Sequence, residues 1–133
     1  MSFGQRNYER TRPEVDFPGE TPPEDLVVEE LIAGGGPAAE PGDKVSCHYV
    51  GVSWSTGEEF DASWNRGQPL DFTVGTGQVI QGWDQGLIGM QQGGRRRLEI
   101  PAELAYGEQG AGGVIAPGET LIFVVDLVGL QKA

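Results

Sequence analysis

Glycine and proline punctuate this chain so densely, at 22 and 9 of 133 residues, that it reads as many short elements rather than long helices. Between the turn-like clusters the apolar residues mostly alternate, which is the period of a strand. Residues 26–33 form a first strand candidate, ended by Gly34-Gly35-Gly36-Pro37. Residues 43–54 form a second, with Val45, Cys47 and Tyr49 on one side, and 58–62 return after a hairpin-like turn at Ser55-Thr56-Gly57. Leu70, Phe72 and Val74 mark a further strand, 95–100 another, and 120–130 the last, with Leu121, Phe123, Val125 and Leu127 on one face. The single helical spacing is Ile80, Trp83 and Leu87, and Gly82 and Gly86 weaken it, so packing must hold that helix in place. Residues 107–119 are a Gly-, Ala- and Pro-rich loop. The expected fold is α+β: an antiparallel sheet curling around one short helix.

The length suits one domain, taken as residues 26–133, preceded by a flexible or extended tail over 1–25 that holds four prolines. Tyr8 or Phe17 offers that tail a contact with the domain. A net charge of −11 argues against nucleic acid, which needs clustered Lys and Arg. The one basic run, Arg95-Arg96-Arg97, reads as a solvated strand end. No apolar run approaches the ~20 residues of a membrane span, and residues 1–25 do not read as a signal peptide. With one cysteine no intramolecular disulfide is possible, so a cytoplasmic monomer is the default expectation.

Most catalytic chemistries find no support. Cys47 and His48 are adjacent in a strand and face opposite ways, so they cannot easily share a metal or form a nucleophile–base pair. No zinc or calcium spacing is present, and no cofactor is implied. Gly75-Thr76-Gly77 opens like a dinucleotide loop, but Ile80 stands where the third glycine belongs. What remains is apolar and aromatic: Tyr49, Phe60, Phe72, Trp83, Tyr106 and Phe123, each of which alone reads as core.

Six segments change that reading through their order and spacing. They are Val45-Ser46-Cys47-His48-Tyr49-Val50-Gly51, residues 57–63 around Phe60-Asp61, residues 79–87 around Trp83, Arg97-Leu98-Glu99-Ile100-Pro101, Ala105-Tyr106-Gly107 and residues 115–121. Together they resemble the FKBP-type (FK506-binding) peptidyl-prolyl cis–trans isomerases over almost all of residues 26–130. The resemblance implies a bent antiparallel sheet around a short helix, and isomerisation of X–Pro bonds in proline-containing peptides and unfolded proteins. It implies Trp83 as the floor of the proline pocket, with Tyr49, Phe60 and Phe123 as its walls. Val79 and Ile80 match the rim, with the Ile80 N–H toward a ligand carbonyl. Asp61 matches the pocket aspartate, with Arg66 as its partner, and Tyr106 the tyrosine that meets an amide carbonyl. Val114 and Ile115 match the flap. Leu70 stands where better-known members carry an aromatic wall, Ala111 and its glycines where some carry a histidine, and Gln78 where an acid is frequent. The family also binds FK506 and rapamycin. A module that holds proline motifs or macrolides, with incidental turnover, is the alternative.

Overall fold

The computed structural model describes residues 11–16 and 21–133, and its organising element is the ten-residue strand β2 (Lys44–Ser53). Val45, Cys47 and Tyr49 alternate along it and are buried together, as pleated geometry requires. One edge of β2 pairs along its length with β6 (Leu121–Gln131); β5 (Arg95–Ile100) and then β1 (Val27–Ile32) follow outward. The other edge is shared by two short strands. β4 (Leu70–Thr73) takes Lys44–Cys47, and β3 (Glu59–Ala62) takes Val50–Val52. All five pairings are antiparallel. Register shifts fall between Ser46 and Cys47, between Gly51 and Val52, and between Glu30 and Ile32, and such bulges bend a sheet. Among the described residues there is one α-helix, α1 (Gln81–Gly86). The α+β plan expected from the sequence is the one found, and no helix among these residues is long and apolar enough to cross a membrane.

The two helix glycines have a packing reason. A Cβ at Gly82 would come within 3.0 Å of three side-chain atoms of Ile100, and one at Gly86 would lie 2.9 Å from Leu98 Cδ2. The glycines cost helix propensity and in return let α1 sit directly on β5. That contact brings Trp83 and Leu87 into a core with Leu98, Ile100, Leu121, Phe123, Val125 and Leu127. The Gly75-Thr76-Gly77 loop is also explained by α1: the N–H groups of Gly75 and Gly77 donate to the Asp84 carboxylate at 2.8 and 2.9 Å. The helix supplies its own anion to that nest.

β6 is covered on both faces, since Ile122 and Val124 are buried as fully as Leu121, Phe123, Val125 and Leu127. One expectation needs correction. The arginine run is no solvated strand end. Arg95 pairs with the fully buried Asp126 at 2.9 Å, and Arg97 reaches Glu99 at 3.2 Å. Arg96 pairs with Glu30 at 2.9 Å and donates to the Gly86 and Ile88 carbonyls at 2.8 and 3.0 Å. Long stems and charged heads allow these side chains to stitch β1, β6 and the end of α1 onto β5.

Residues 11–16 lie along the outside of the sheet. Val15 packs on the small apolar cluster of Val50, Val52, Ala62 and Trp64. The Thr11 carbonyl accepts from Arg95 Nη2 at 2.8 Å, and Arg12 donates to Asn65 Oδ1 at 2.9 Å and to the Glu59 carboxylate. Tyr8 and Phe17, the residues offered for such a contact, lie outside the described residues with the rest of 1–10 and 17–20.

Candidate functional site

The division of one strand edge between β3 and β4 creates the site. Between them the edge of β2 around His48 and Tyr49 has no strand partner among the described residues. The buried hydroxyl of Ser63 takes over there, accepting the Tyr49 N–H at 2.7 Å and lying 2.8 Å from His48 Nδ1. A backbone donor in such a gap must find a partner, and a side chain supplies it. His48 stays on the outer face, stacked on Trp64 at 4.3 Å, while Tyr49 points inward. Burial lowers the affinity of His48 for a proton, partly offset by Asp126, and burial first, then Asp126 and Asp71, pushes the Cys47 thiol up. Neither residue takes part in the inner cavity.

That cavity is a hollow of about 170 Å³ lined by Tyr49, Phe60, Asp61, Leu70, Gln78, Val79, Ile80, Trp83, Tyr106 and Phe123. Trp83 is 3% exposed, yet it forms part of the lining at the start of α1. Three rings hold it in place: Tyr49 and Phe123 edge-on at 5.1 and 5.3 Å, and Phe72 tilted at 5.7 Å. Phe60 meets Phe123 edge-on at 5.5 Å. Edge-to-face contacts of this kind add about 0.5–1.5 kcal/mol each beyond burial, so the wall is rigid. The rings fit because β2 carries a glycine beside them. A Cβ on Gly51 would lie 2.7 Å from both Phe123 and Phe60.

One charged group enters the apolar wall. The Asp61 carboxylate accepts from the Tyr49 hydroxyl at 2.6 Å and from Arg66 Nη1 at 2.9 Å, and Arg66 Nη2 donates to the Tyr49 hydroxyl oxygen at 2.8 Å. Burial pushes Asp61 up, but the Tyr49 and Arg66 hydrogen bonds and the guanidinium charge outweigh it and hold the carboxyl below its usual range. Tyr49 is raised, by burial and then by Asp61, against the opposing effect of Arg66. Both groups therefore move away from neutrality and keep their charge states across it. At the mouth, Tyr106 is 40% and Leu70 36% exposed. The Ile80 carbonyl accepts from Trp83 and Asp84, whereas its own N–H makes no hydrogen bond among the described residues.

Of the residues singled out from the sequence, Tyr49, Phe60, Asp61, Leu70, Val79, Ile80, Trp83, Tyr106 and Phe123 converge on this hollow, and Arg66 joins through Asp61 and Tyr49. Val114 and Ile115 do not line it; they border a neighbouring groove that shares Phe60. Gln78 does line it, with Oε1 accepting the Thr73 N–H at 2.9 Å. Its position next to Val79 was the signal that would have added it. Gly51 was visible only as part of a motif, because nothing in the sequence says which rings approach it.

Comparison with known proteins agrees with this geometry. The model of the family described as FKBP-type peptidyl-prolyl cis-trans isomerase matches residues 35–128. An FK506-binding protein of Streptomyces anulatus is 68% identical over 88% of this chain and 95% of its own length. A peptidyl-prolyl cis-trans isomerase of Saccharomyces cerevisiae, FPR2, is 52% identical over 71% of this chain and 70% of its own. Among solved structures, AtFKBP13 superposes with a TM-score of 0.73 at 43% identity, covering 81% of this chain and 93% of that one. FkpA from Escherichia coli gives 0.74 at 42% identity, over 81% of this chain and 49% of that one. Sheet, aromatic hollow and sequence thus point one way: this chain belongs to the FKBP-type peptidyl-prolyl cis–trans isomerases and is an enzyme acting on X–Pro peptide bonds.

Proposed function

We propose that the hollow over Trp83 receives the proline ring of the substrate and that turnover occurs there without any covalent step. The observation that carries this reading is the convergence of five aromatic rings on a single cavity that is also lined by Ile80, whose backbone N–H makes no hydrogen bond among the described residues. Rotation about an X–Pro amide is slow because resonance sets a barrier of about 18–20 kcal/mol. A turnover of about 10²–10³ per second corresponds to about 13–15 kcal/mol, so the protein must supply only about 4–7 kcal/mol of differential stabilisation. Twisting the amide removes its resonance and its charge separation. A dry apolar wall therefore favours the twisted form relative to the planar one. The Ile80 N–H and the Tyr106 hydroxyl hold substrate carbonyls, so that only one side of the bond turns. Asp61, clamped by Tyr49 and Arg66, orients the wall and the Tyr49 hydroxyl; it is no general base.

The cavity accommodates one small ring, less than the about 300–1,000 Å³ of a drug-sized site. FK506 and rapamycin accordingly bind by inserting one ring and leaving the rest outside. The active unit is residues 26–133, with 1–25 as a tail, and the protein works as a cytoplasmic monomer. Titration with FK506 while following tryptophan fluorescence, beside a protease-coupled proline-peptide assay, tests the site. A Trp83 signal that saturates, together with inhibition of turnover, is expected. Drug binding with uninhibited turnover would refute the shared site, and binding without any turnover would make the hollow a recognition module.

A further inference from the structure

On the far side of Phe60 lies a larger groove of about 680 Å³. One wall is the β2–β3 turn with Ser55 and Glu58; the other is the 109–119 loop, with Val114 at its tip 62% exposed. Phe60 lines both spaces, so the groove adjoins the hollow across that ring. The groove is held open from below. Glu119 accepts from the Ser55 N–H at 2.9 Å and from its hydroxyl at 2.6 Å, and the Trp54 N–H donates to the Thr120 carbonyl at 3.0 Å. These bonds tie the turn to the foot of the loop.

Three carboxylates line the groove, Glu58, Glu59 and Glu119, and no Lys, Arg or His among the described residues does. Their situations differ. Glu119 is buried and both its oxygens are engaged by Ser55. Glu59 is held by Arg12 and by Asn65 Nδ2. Glu58 is exposed, and its carboxylate has no partner among the described residues. We propose that this groove takes the part of the substrate flanking the isomerised proline and selects a lysine or arginine there, with Glu58 as the selecting carboxylate. The apolar stem of such a side chain lies on Phe60 and Val114 while its charged end reaches Glu58. The net charge of −11 favours encounter with basic chains in general, and the carboxylates of the groove add a local attraction. The inference rests on the hollow as the proline site.

Peptides carrying Lys, Gln or Glu two residues before or after a single proline test it, with kcat/KM read by NMR exchange at low salt and at 0.5 M NaCl. Exposed charge pairs are weak and screened, so the Lys peptide should exceed the Gln peptide by about two- to fivefold at low salt in one placement, and lose that advantage at high salt. The Lys-to-Gln ratio should fall to one in Glu58→Gln and invert in Glu58→Lys. It should rise in Arg12→Ala, which uncovers Glu59. Equal turnover of the three peptides, or a preference that survives Glu58→Gln, would overturn the proposal while leaving the hollow intact. A Gln peptide that is not turned over would overturn the reading of the hollow, and this one with it.

Discussion

Replacing Gly82 by alanine sets two effects against each other at the seat of the helix that carries Trp83. Alanine stabilises a helix interior by about 1 kcal/mol relative to glycine. Against this, the added Cβ would come within 3.0 Å of Cγ1, Cγ2 and Cδ1 of Ile100, which has no exposed surface. Ile100 sits on β5 opposite Leu121, and both are fully buried in the core. Overpacking of this kind costs about 1–3 kcal/mol, and three simultaneous clashes put it toward the upper end. The net expectation is a loss of about 1–2 kcal/mol in urea denaturation. Turnover should also fall, because the helix must lift from β5 and take the indole with it. The sharper test is a double-mutant cycle. Ile100→Ala removes all three clashing atoms and alone costs about 2–5 kcal/mol. In the Gly82→Ala background it should cost at least about 1 kcal/mol less, a favourable coupling of the size seen for contacting residues. A Gly82→Ala protein as stable as the wild type, or additive effects in the cycle, would refute the packing argument.

Trp83→Ala should abolish most turnover and cost about 3–5 kcal/mol as a core truncation, checked by peptide assay and denaturation on the folded protein. Gly51→Ala should push the Phe60 and Phe123 rings into the hollow, lowering kcat/KM for a neutral proline peptide and costing about 1–3 kcal/mol. Asp61→Ala should reduce turnover with a smaller loss of stability; unchanged turnover would remove Asp61 from the mechanism. The folded protein holds the Asp61 carboxyl below its unfolded value of about 3.9, so its stabilising effect is complete above that pH and is lost as pH falls through the lower folded value. Turnover should accordingly stay flat from neutrality to about pH 5 and drop only in stronger acid. A sigmoidal change between pH 6 and 7 would contradict this. Arg95→Met, which takes the guanidinium from buried Asp126, should cost about 3–5 kcal/mol by thermal or chemical unfolding.

Strand alternation in residues 43–49 and the spacing of Ile80, Trp83 and Leu87 were legible because burial on one face imposes a period that the sequence must carry, whereas residues 121–125 read as a strand from a continuous apolar run, which burial of β6 on both faces requires. The aromatic residues of the site were legible as types, but only their order and spacing separated them from ordinary core. Arg95, Arg96 and Arg97 were misread because periodicity ignores reach: nothing local tells that a guanidinium will find Asp126, Glu30 or the end of a helix. Val114 and Ile115 fell outside the hollow for a related reason, since a glycine-rich loop carries no pattern that sets where its tip points.

Local sequence therefore determined which stretches become strands and where the helix over Gln81–Gly86 lies, since each of these depends on neighbours a few residues apart. Tertiary structure alone decided that two short strands would share one edge of β2, that Ser63 would fill the gap between them, and that Tyr49, Asp61 and Arg66 would close on one another. Those outcomes depend on pairing between segments distant in the chain, whose register is settled by packing against the whole core rather than by any short pattern.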